Sequence, residues 1–330
     1  MATFRRRQFL IATGAWLVVP IPAISLEPGK VWRIGYVHLR SGPSERDEAF
    51  RAELRRLGYV EGQNLVIVDR WTSGSVDRLP EIAAEFVALK VDAIVASSRQ
   101  ATEAARRTTS SIPIVMSGVL DPVGSGLIQT LARPGGNVTG VSSTVVVDLN
   151  GKRLDLLHDL LPKATRIGVL VQGLSPSDTP PSLEQVRAAA QKLNLTLLVE
   201  YAKSVNDFSS AIEVIGRRGA EGLIVLRDGP GAIDNRQLLV ALITKQRMPA
   251  IYDLQEFVNI GGLMSYGYNV NELYRRAANY LDRIFKGARP DQLPVEQPSM
   301  FELVVNLKAA REIALKVPKS LLLRADRVVQ

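Results

Sequence analysis

Val91-Asp92-Ala93-Ile94-Val95-Ala96, Ser97-Ser98-Arg99-Gln100, the segment Ala101 to Thr108, and Ile112-Pro113-Ile114-Val115-Met116 follow one another along the chain. The first and last are short apolar runs, the length and composition of buried strands. Between them lies a segment of helical length. Two strands joined through a helix run parallel, because a parallel pair needs a crossover where an antiparallel pair needs only a hairpin. The same alternation extends on both sides. Upstream, strands are predicted over Val31–Val37 and Asn64–Asp69. The helix over Glu45–Leu57 carries Phe50, Leu54 and Leu57 on one face, and Gly58 closes it. Leu79–Leu89 has a second apolar face. Downstream, a helix is predicted over Val123–Ala132 and a strand over Val138–Ser142.

A second set follows. Strands over Arg166–Val171, Leu195–Val199, Gly222–Leu226, Pro249–Tyr252 and Leu263–Tyr266 alternate with helices near Ser182–Leu193, Asp207–Arg217 and Ile233–Arg247, with a further helix over Lys152–Leu161. Two successive five-strand sets predict an α/β protein of two doubly wound, Rossmann-like parallel-sheet lobes. The halves share element order and no residue-level repeat. A tail follows both: a helix over Asn271–Lys286, a strand over Phe301–Val305 and a helix over Leu307–Lys316. If it packs on both lobes, the chain crosses between them several times and forms a hinge with a cleft. The expected lobes are 31–142 with 268–295, and 143–267 with 296–330. The hinge is expected near Val141–Thr144, Tyr266–Tyr268 and Leu293–Glu296.

Composition narrows the function. The chain has 330 residues, 46% hydrophobic and 22% charged, which is globular. It has no cysteine, which excludes disulfides, thiolate metal sites and cysteine nucleophiles. With His38 and His158 the only histidines, no histidine-rich metal site can form. There is no G-x-S-x-G, H-E-x-x-H or G-x-x-x-x-G-K-[ST], and no G-x-G-x-x-G after the first strand. These absences point away from an enzyme, and no cofactor or metal is expected.

Arg5-Arg6-Arg7 precedes an uncharged stretch from Gln8 to Leu26, with an apolar run Phe9–Val19, then Pro20 and Pro22, then Ala23-Ile24-Ser25. This pattern predicts an export signal over residues 1–25, with a resemblance to the twin-arginine type. The run is shorter than the roughly 20 residues a membrane span needs. Without a cysteine no lipoprotein anchor is available. Losing the signal removes three arginines and takes the net charge from +8 to +5. That is mild and scattered, so nucleic acid is not an expected partner.

Ligands of open parallel sheets bind beyond the carboxyl ends of the strands, near helix N-termini. The segments there supply the candidate ligand-binding residues His38, Ser41, Ser97, Ser98, Arg99, Ser117, Gly118, Asp121, Gln172, Arg227, Asp228 and Tyr252. Hydroxyls and arginines suit a carboxylate, an aspartate suits an amine, and Tyr252 offers an apolar wall. A serine or aspartate before a helix also serves as an N-cap, and Arg99 and Arg227 can equally be solvated. His158, inside its helix, reads as structural.

Several stretches together resemble a known family. They include Leu57-Gly58-Tyr59-Val60-Glu61-Gly62-Gln63-Asn64-Leu65, Asp121-Pro122-Val123-Gly124, and Leu131-Ala132-Arg133-Pro134-Gly135-Gly136-Asn137-Val138-Thr139-Gly140. Near the end come Gly261-Gly262-Leu263-Met264-Ser265-Tyr266-Gly267, Leu293-Pro294-Val295-Glu296-Gln297-Pro298 and Phe301-Glu302-Leu303-Val304-Val305-Asn306-Leu307-Lys308. Over residues 31–330 the chain resembles substrate-binding proteins of ABC transporters, in the tryptophan/tyrosine-type branch. The resemblance implies a type I periplasmic-binding-protein fold and delivery of a small solute to a permease and its ATPase; the protein is expected to be a monomer that meets the membrane only through them. The solute is left open between an amino acid and an aromatic or other organic carboxylate, with Arg99 and Arg227 favouring the carboxylate. A periplasmic sensor serving a membrane receptor would use the same fold.

Overall fold

The computed structural model describes residues 29–144, 149–172, 180–227 and 235–330. The predicted signal and Asp228 lie outside them. The first sheet has five parallel strands: β1 (Trp32–His38), β2 (Leu65–Trp71), β3 (Ala93–Ala96), β4 (Ile114–Val119) and β5 (Val138–Ser142), in the order β2-β1-β3-β4-β5. Their near-continuous apolar runs fit a sheet covered on both faces. The helices α1 (Glu45–Arg56), α2 (Leu79–Ala88) and α3 (Arg99–Thr108) make its crossovers. In α1, Glu45, Asp47 and Glu48 sit in the first turn and Arg55 and Arg56 in the last, as the helix dipole favours. Gly35 is required for close packing here: a Cβ at this position would meet the Phe86 ring at 2.6 Å.

The second sheet has seven strands. They are β6 (Arg166–Gln172), β7 (Thr196–Ala202), β8 (Gly222–Arg227), β9 (Ala250–Tyr252), β10 (Met264–Gly267), β11 (Glu302–Asn306) and β12 (Arg327–Val329), in the order β12-β11-β10-β9-β8-β6-β7. Around it lie α4 (Leu149–Leu160), α5 (Pro181–Leu193), α6 (Phe208–Arg217), α7 (Arg236–Lys245), α8 (Gln255–Asn259), α10 (Leu307–Glu312) and α11 (Lys319–Arg324). Every paired neighbour among β6–β10 is parallel, but β10 and β11 are antiparallel. The reason is topological. The chain leaves the carboxyl end of β10 for the first lobe, and on returning at that same end it must run back down.

That excursion is α9 (Val270–Phe285). It presses Leu273, Tyr274, Ala277, Ala278, Leu281 and Phe285 inward, packing on α1 and β4. Phe285 stacks on Trp32 with ring centroids 4.1 Å apart, and Tyr59 Oη donates to Asp282 at 3.1 Å. The chain therefore passes between the sheets three times: after Ser142, after Gly267, and between Leu293 and Glu302. At the last passage Glu296 lies beside Val141, donating its N–H to Gly140 at 3.1 Å and accepting from Ser142 at 2.8 Å.

Two expected helices differ. Residues 123–132 form turns rather than a helix. Gly124 and Gly126 weaken the segment, and Leu127 and Ile128 both donate back to Pro122 to fold two apolar side chains into the core. The helix expected over Leu307–Lys316 stops at Glu312, because Ala314 takes a left-handed φ of 56°. The helices α8 and α11 and the strand β12 are short and carry no clear sequence period.

Candidate functional site

A cavity of about 1000 Å³ lies between the lobes. The first lobe lines it with the segments after β1, β3 and β4 and with the start of α1. The second lobe lines it with Arg227 at the end of β8, Asp253, Leu254 and Glu256 beyond β9, and Asn150 and Arg153 on α4. Tyr268, Leu273 and Tyr274 come from the return segment.

Of the candidates named from sequence, Ser41, Ser97, Ser98, Arg99, Ser117, Gly118, Asp121 and Arg227 line this cavity. Several have local bonds as well. Ser97 Oγ donates to the Val37 carbonyl at 3.2 Å. Ser98 caps α3, its Oγ accepting from Ala101 N–H at 3.1 Å. Asp121 accepts from Gly124 N–H at 2.9 Å and so holds the turn that replaces the expected helix. Ser117 is buried, and Gly118 adopts a φ of 90°, which admits the Ser143 hydroxyl to its carbonyl at 2.9 Å.

Three candidates are not brought to the cavity. Tyr252 is 1% exposed and stacks on Phe257, rings 4.9 Å apart and 5° from parallel, so it is a core side chain rather than a wall. Gln172 ends β6 fully enclosed, with neither amide atom partnered among the described residues. His38 is buried beneath the cavity wall. Its Nε2 bonds Asp69 Oδ1 at 3.1 Å and its Nδ1 faces Arg40 Nη2 at 3.0 Å. Arginine can only donate, so Nδ1 carries a lone pair and the imidazole is neutral with its proton on Nε2. Burial, the main cause, lowers its pKa and agrees with that assignment. His158 also lies away from the cavity lining.

The charges of the cavity form pairs. Arg40 binds Asp47. Arg99, half exposed, reaches Glu103 one turn along α3 at 3.0 Å. Arg227 donates from both Nε and Nη2 to one oxygen of Asp253, at 2.9 and 2.6 Å. Burial, the largest single cause, would lower its pKa, but the Asp253 charge and hydrogen bonds together with Tyr268 and Glu256 outweigh it and raise it. Arg46 on α1 meets Glu256 on α8 at 3.2 Å and joins the two lobes across the cavity. Arg153 differs. It is 1% exposed; Nε donates to the Tyr266 carbonyl at 2.7 Å and Nη1 to Asn150 Oδ1 at 2.5 Å. Among the described residues its Nη2 has no partner; burial lowers its pKa, and the Asp253 charge opposes this only in part.

Sequence reading missed Arg46, Glu256 and Arg153. Arg153 left a signal: on α4 it occupies the stripe Leu149, Arg153, Leu156, Leu160, where every other residue is buried and apolar. A cation on a buried stripe is costly unless something meets it. Among the described residues no cluster of side chains could hold a metal ion, and no helix is long and apolar enough to cross a membrane.

The protein thus has a two-lobed architecture with a cavity at the carboxyl ends of two sheets. Residues 41–329 match the family described as ABC transporter substrate binding protein, and the chain belongs to that family. Its members bind solutes and are not enzymes. The chain is 28% identical over 276 residues to the "Tyrosine-binding protein" of Clostridioides difficile (strain R20291), covering 83% of this chain and 78% of that one. Two solved structures are each 25% identical, covering 91% of this chain and 100% of theirs. They are a conserved domain protein from Vibrio cholerae, with a TM-score of 0.78, and an ABC domain in complex with L-Trp from Streptococcus pneumonia, with a TM-score of 0.77. The type I periplasmic-binding-protein fold expected from sequence is the observed one.

Proposed function

We propose that this protein is the exported solute-binding component of an ABC importer, which captures an amino acid, with tyrosine and tryptophan the first candidates, and presents it to a permease and its ATPase. The observation that carries the reading is the cavity itself. It is large enough for an aromatic amino acid and is walled by hydroxyls and charged groups from both lobes. A solute touching both lobes stabilises their closed arrangement, and the closed arrangement is what a permease can distinguish from the open one. The relatives named for tyrosine and L-Trp support this solute class. The apolar run and arginines at residues 5–19 support export to the periplasm, and a monomer suits a protein that docks one cleft on a transporter.

The test is isothermal titration of the purified chain with the twenty amino acids. Binding of tyrosine or tryptophan, tighter than of the small aliphatic residues, is the expected result. No binding by any amino acid would remove this solute class.

A further inference from the structure

Among the cavity's arginines whose contacts are described, Arg40, Arg46, Arg99 and Arg227 each sit against a carboxylate. Arg153 makes no ion pair among the described residues; the Asp253 charge acts on it but does not offset its burial. Its guanidinium stays protonated at any physiological pH. A buried cation is retained only where an opposite charge arrives to meet it, because desolvating a lone charge is expensive. Two of its three nitrogens are held by neutral acceptors, the Tyr266 carbonyl and Asn150, which fix the plane of the group. The third, Nη2, is fully enclosed, lacks an acceptor, and belongs to a residue lining the cavity.

A second open atom lies nearby. Asp253 is 4% exposed and gives only Oδ2 to Arg227, leaving Oδ1 buried and unpartnered. Gly267 brings the two residues to one place. A Cβ there would meet the Asp253 carbonyl at 1.9 Å and Arg153 Nη2 at 3.7 Å, so the absence of a side chain opens this part of the floor. One enclosed donor and one enclosed acceptor, both in the same lobe, match the two ends of an α-amino acid.

We propose that Arg153 is the anion anchor of the cleft. Its Nη2 takes an oxygen of the solute's carboxylate, and Asp253 Oδ1 accepts from the adjacent ammonium. Arg99 and Arg227, the arginines that suggested a carboxylate from sequence, are already neutralised by protein carboxylates. This inference deepens the reading above and rests on the cleft being the solute site.

The test compares L-tyrosine with tyramine, which lacks the carboxylate, and with 3-(4-hydroxyphenyl)propionate, which lacks the amine, by titration of the full chain. Each deletion is expected to weaken binding by about 10- to 100-fold. Arg153→Gln is expected to weaken tyrosine to the level of tyramine, and Arg153→Lys to recover part of the difference. Tyramine binding wild type as tightly as tyrosine would overturn the anchor. So would Arg153→Gln leaving the preference intact. If the variants fail to fold, the wild-type comparison still decides. If no aromatic amino acid binds, the solute class falls, and crystals of the wild-type chain soaked in bromide decide the anchor separately. Anomalous density against Arg153 Nη2 supports it, and none there overturns it.

Discussion

Arg46 and Glu256 stand 210 residues apart in sequence and 3.2 Å apart in space, one on α1 of the first lobe and one on α8 of the second. Each side chain is only 16% exposed, so solvent screens this pair less than the surface pairs along α5 and α6. It contributes to the arrangement of the two lobes seen here and nothing to either lobe alone. Any open state must rehydrate both charges. We therefore expect the pair to bias the equilibrium between open and closed arrangements.

Glu256→Gln keeps the side-chain volume and removes the charge. We expect the solute-free protein to become more extended by small-angle scattering, and solute affinity to fall about tenfold, equivalent to about 1.4 kcal/mol. Unfolding of each lobe should be little changed. An unaltered scattering profile together with an unaltered affinity would show that the contact does not govern closure.

His38 makes stability depend on pH. Asp69 on β2, Arg40 beyond β1, and Asp47 on α1 are the charged groups facing it, and Tyr36 and Trp71 enclose the ring. Burial holds its folded pKa below the ordinary 6.5. As pH falls below about 6.5 the unfolded chain gains a proton that the folded chain refuses, so the unfolded state is favoured. The loss continues until pH reaches the depressed folded value. Asp69 is also held low, since the His38 bond and the Arg51 charge overcome burial. Its loss, however, belongs to the lower range near 3.8 and does not overlap the upper part of the histidine window. Urea unfolding at pH 7.5, 6.5 and 5.5 should show the wild type losing stability on acidification. His38→Gln should be less stable at pH 7.5 but flatter across the series; an equally steep variant would assign the loss to another group.

The strand–helix alternation was legible because buried parallel strands are continuous apolar runs, and Val91–Ala96 and Ile112–Met116 could be read as little else. The antiparallel β11 was not legible, since its direction depends on where the chain re-enters, not on which residues it contains. At the site, Ser97 and Ser98 were legible because strand ends and helix starts are where parallel sheets open. Arg153 was only partly legible: its place on the Leu149, Leu156, Leu160 stripe marks it as inward-facing, but its position at the cavity depends on where α4 packs. Tyr252 erred in the opposite direction. An aromatic at a strand end can face either the cleft or the core, and only the stack on Phe257 distinguishes the two.

That stack yields a prediction that separates core from cleft. Tyr252→Phe retains the ring and should leave solute affinity within about twofold, a change of a few tenths of a kcal/mol. Tyr252→Ala removes a ring that is 1% exposed and should destabilise the fold by about 3–5 kcal/mol, measured by urea unfolding. A Tyr252→Phe variant that folds normally yet loses the solute would return this residue to the binding wall.

Gly267 is where the fold and the proposed anchor share a constraint. It ends β10 at the second passage between lobes, and an added Cβ would lie 1.9 Å from the Asp253 carbonyl oxygen. That neighbour is backbone, so no rotamer change relieves the clash and either the passage or the segment after β9 must shift. Gly287 makes the control: it too is a glycine after a regular element, but a Cβ there meets nothing within 4 Å, and its φ of 95° disfavours alanine through backbone strain alone. Gly267→Ala should cost about 1–3 kcal/mol or more of stability by overpacking. It should also weaken solute binding beyond that loss, because Asp253 and Arg153 both border the displaced backbone. Gly287→Ala should cost about 1 kcal/mol and leave affinity untouched. Titration and urea unfolding of the two variants side by side read both effects. A Gly267→Ala protein that binds as wild type would show that the floor of the cleft tolerates movement here, and that the solute is held elsewhere.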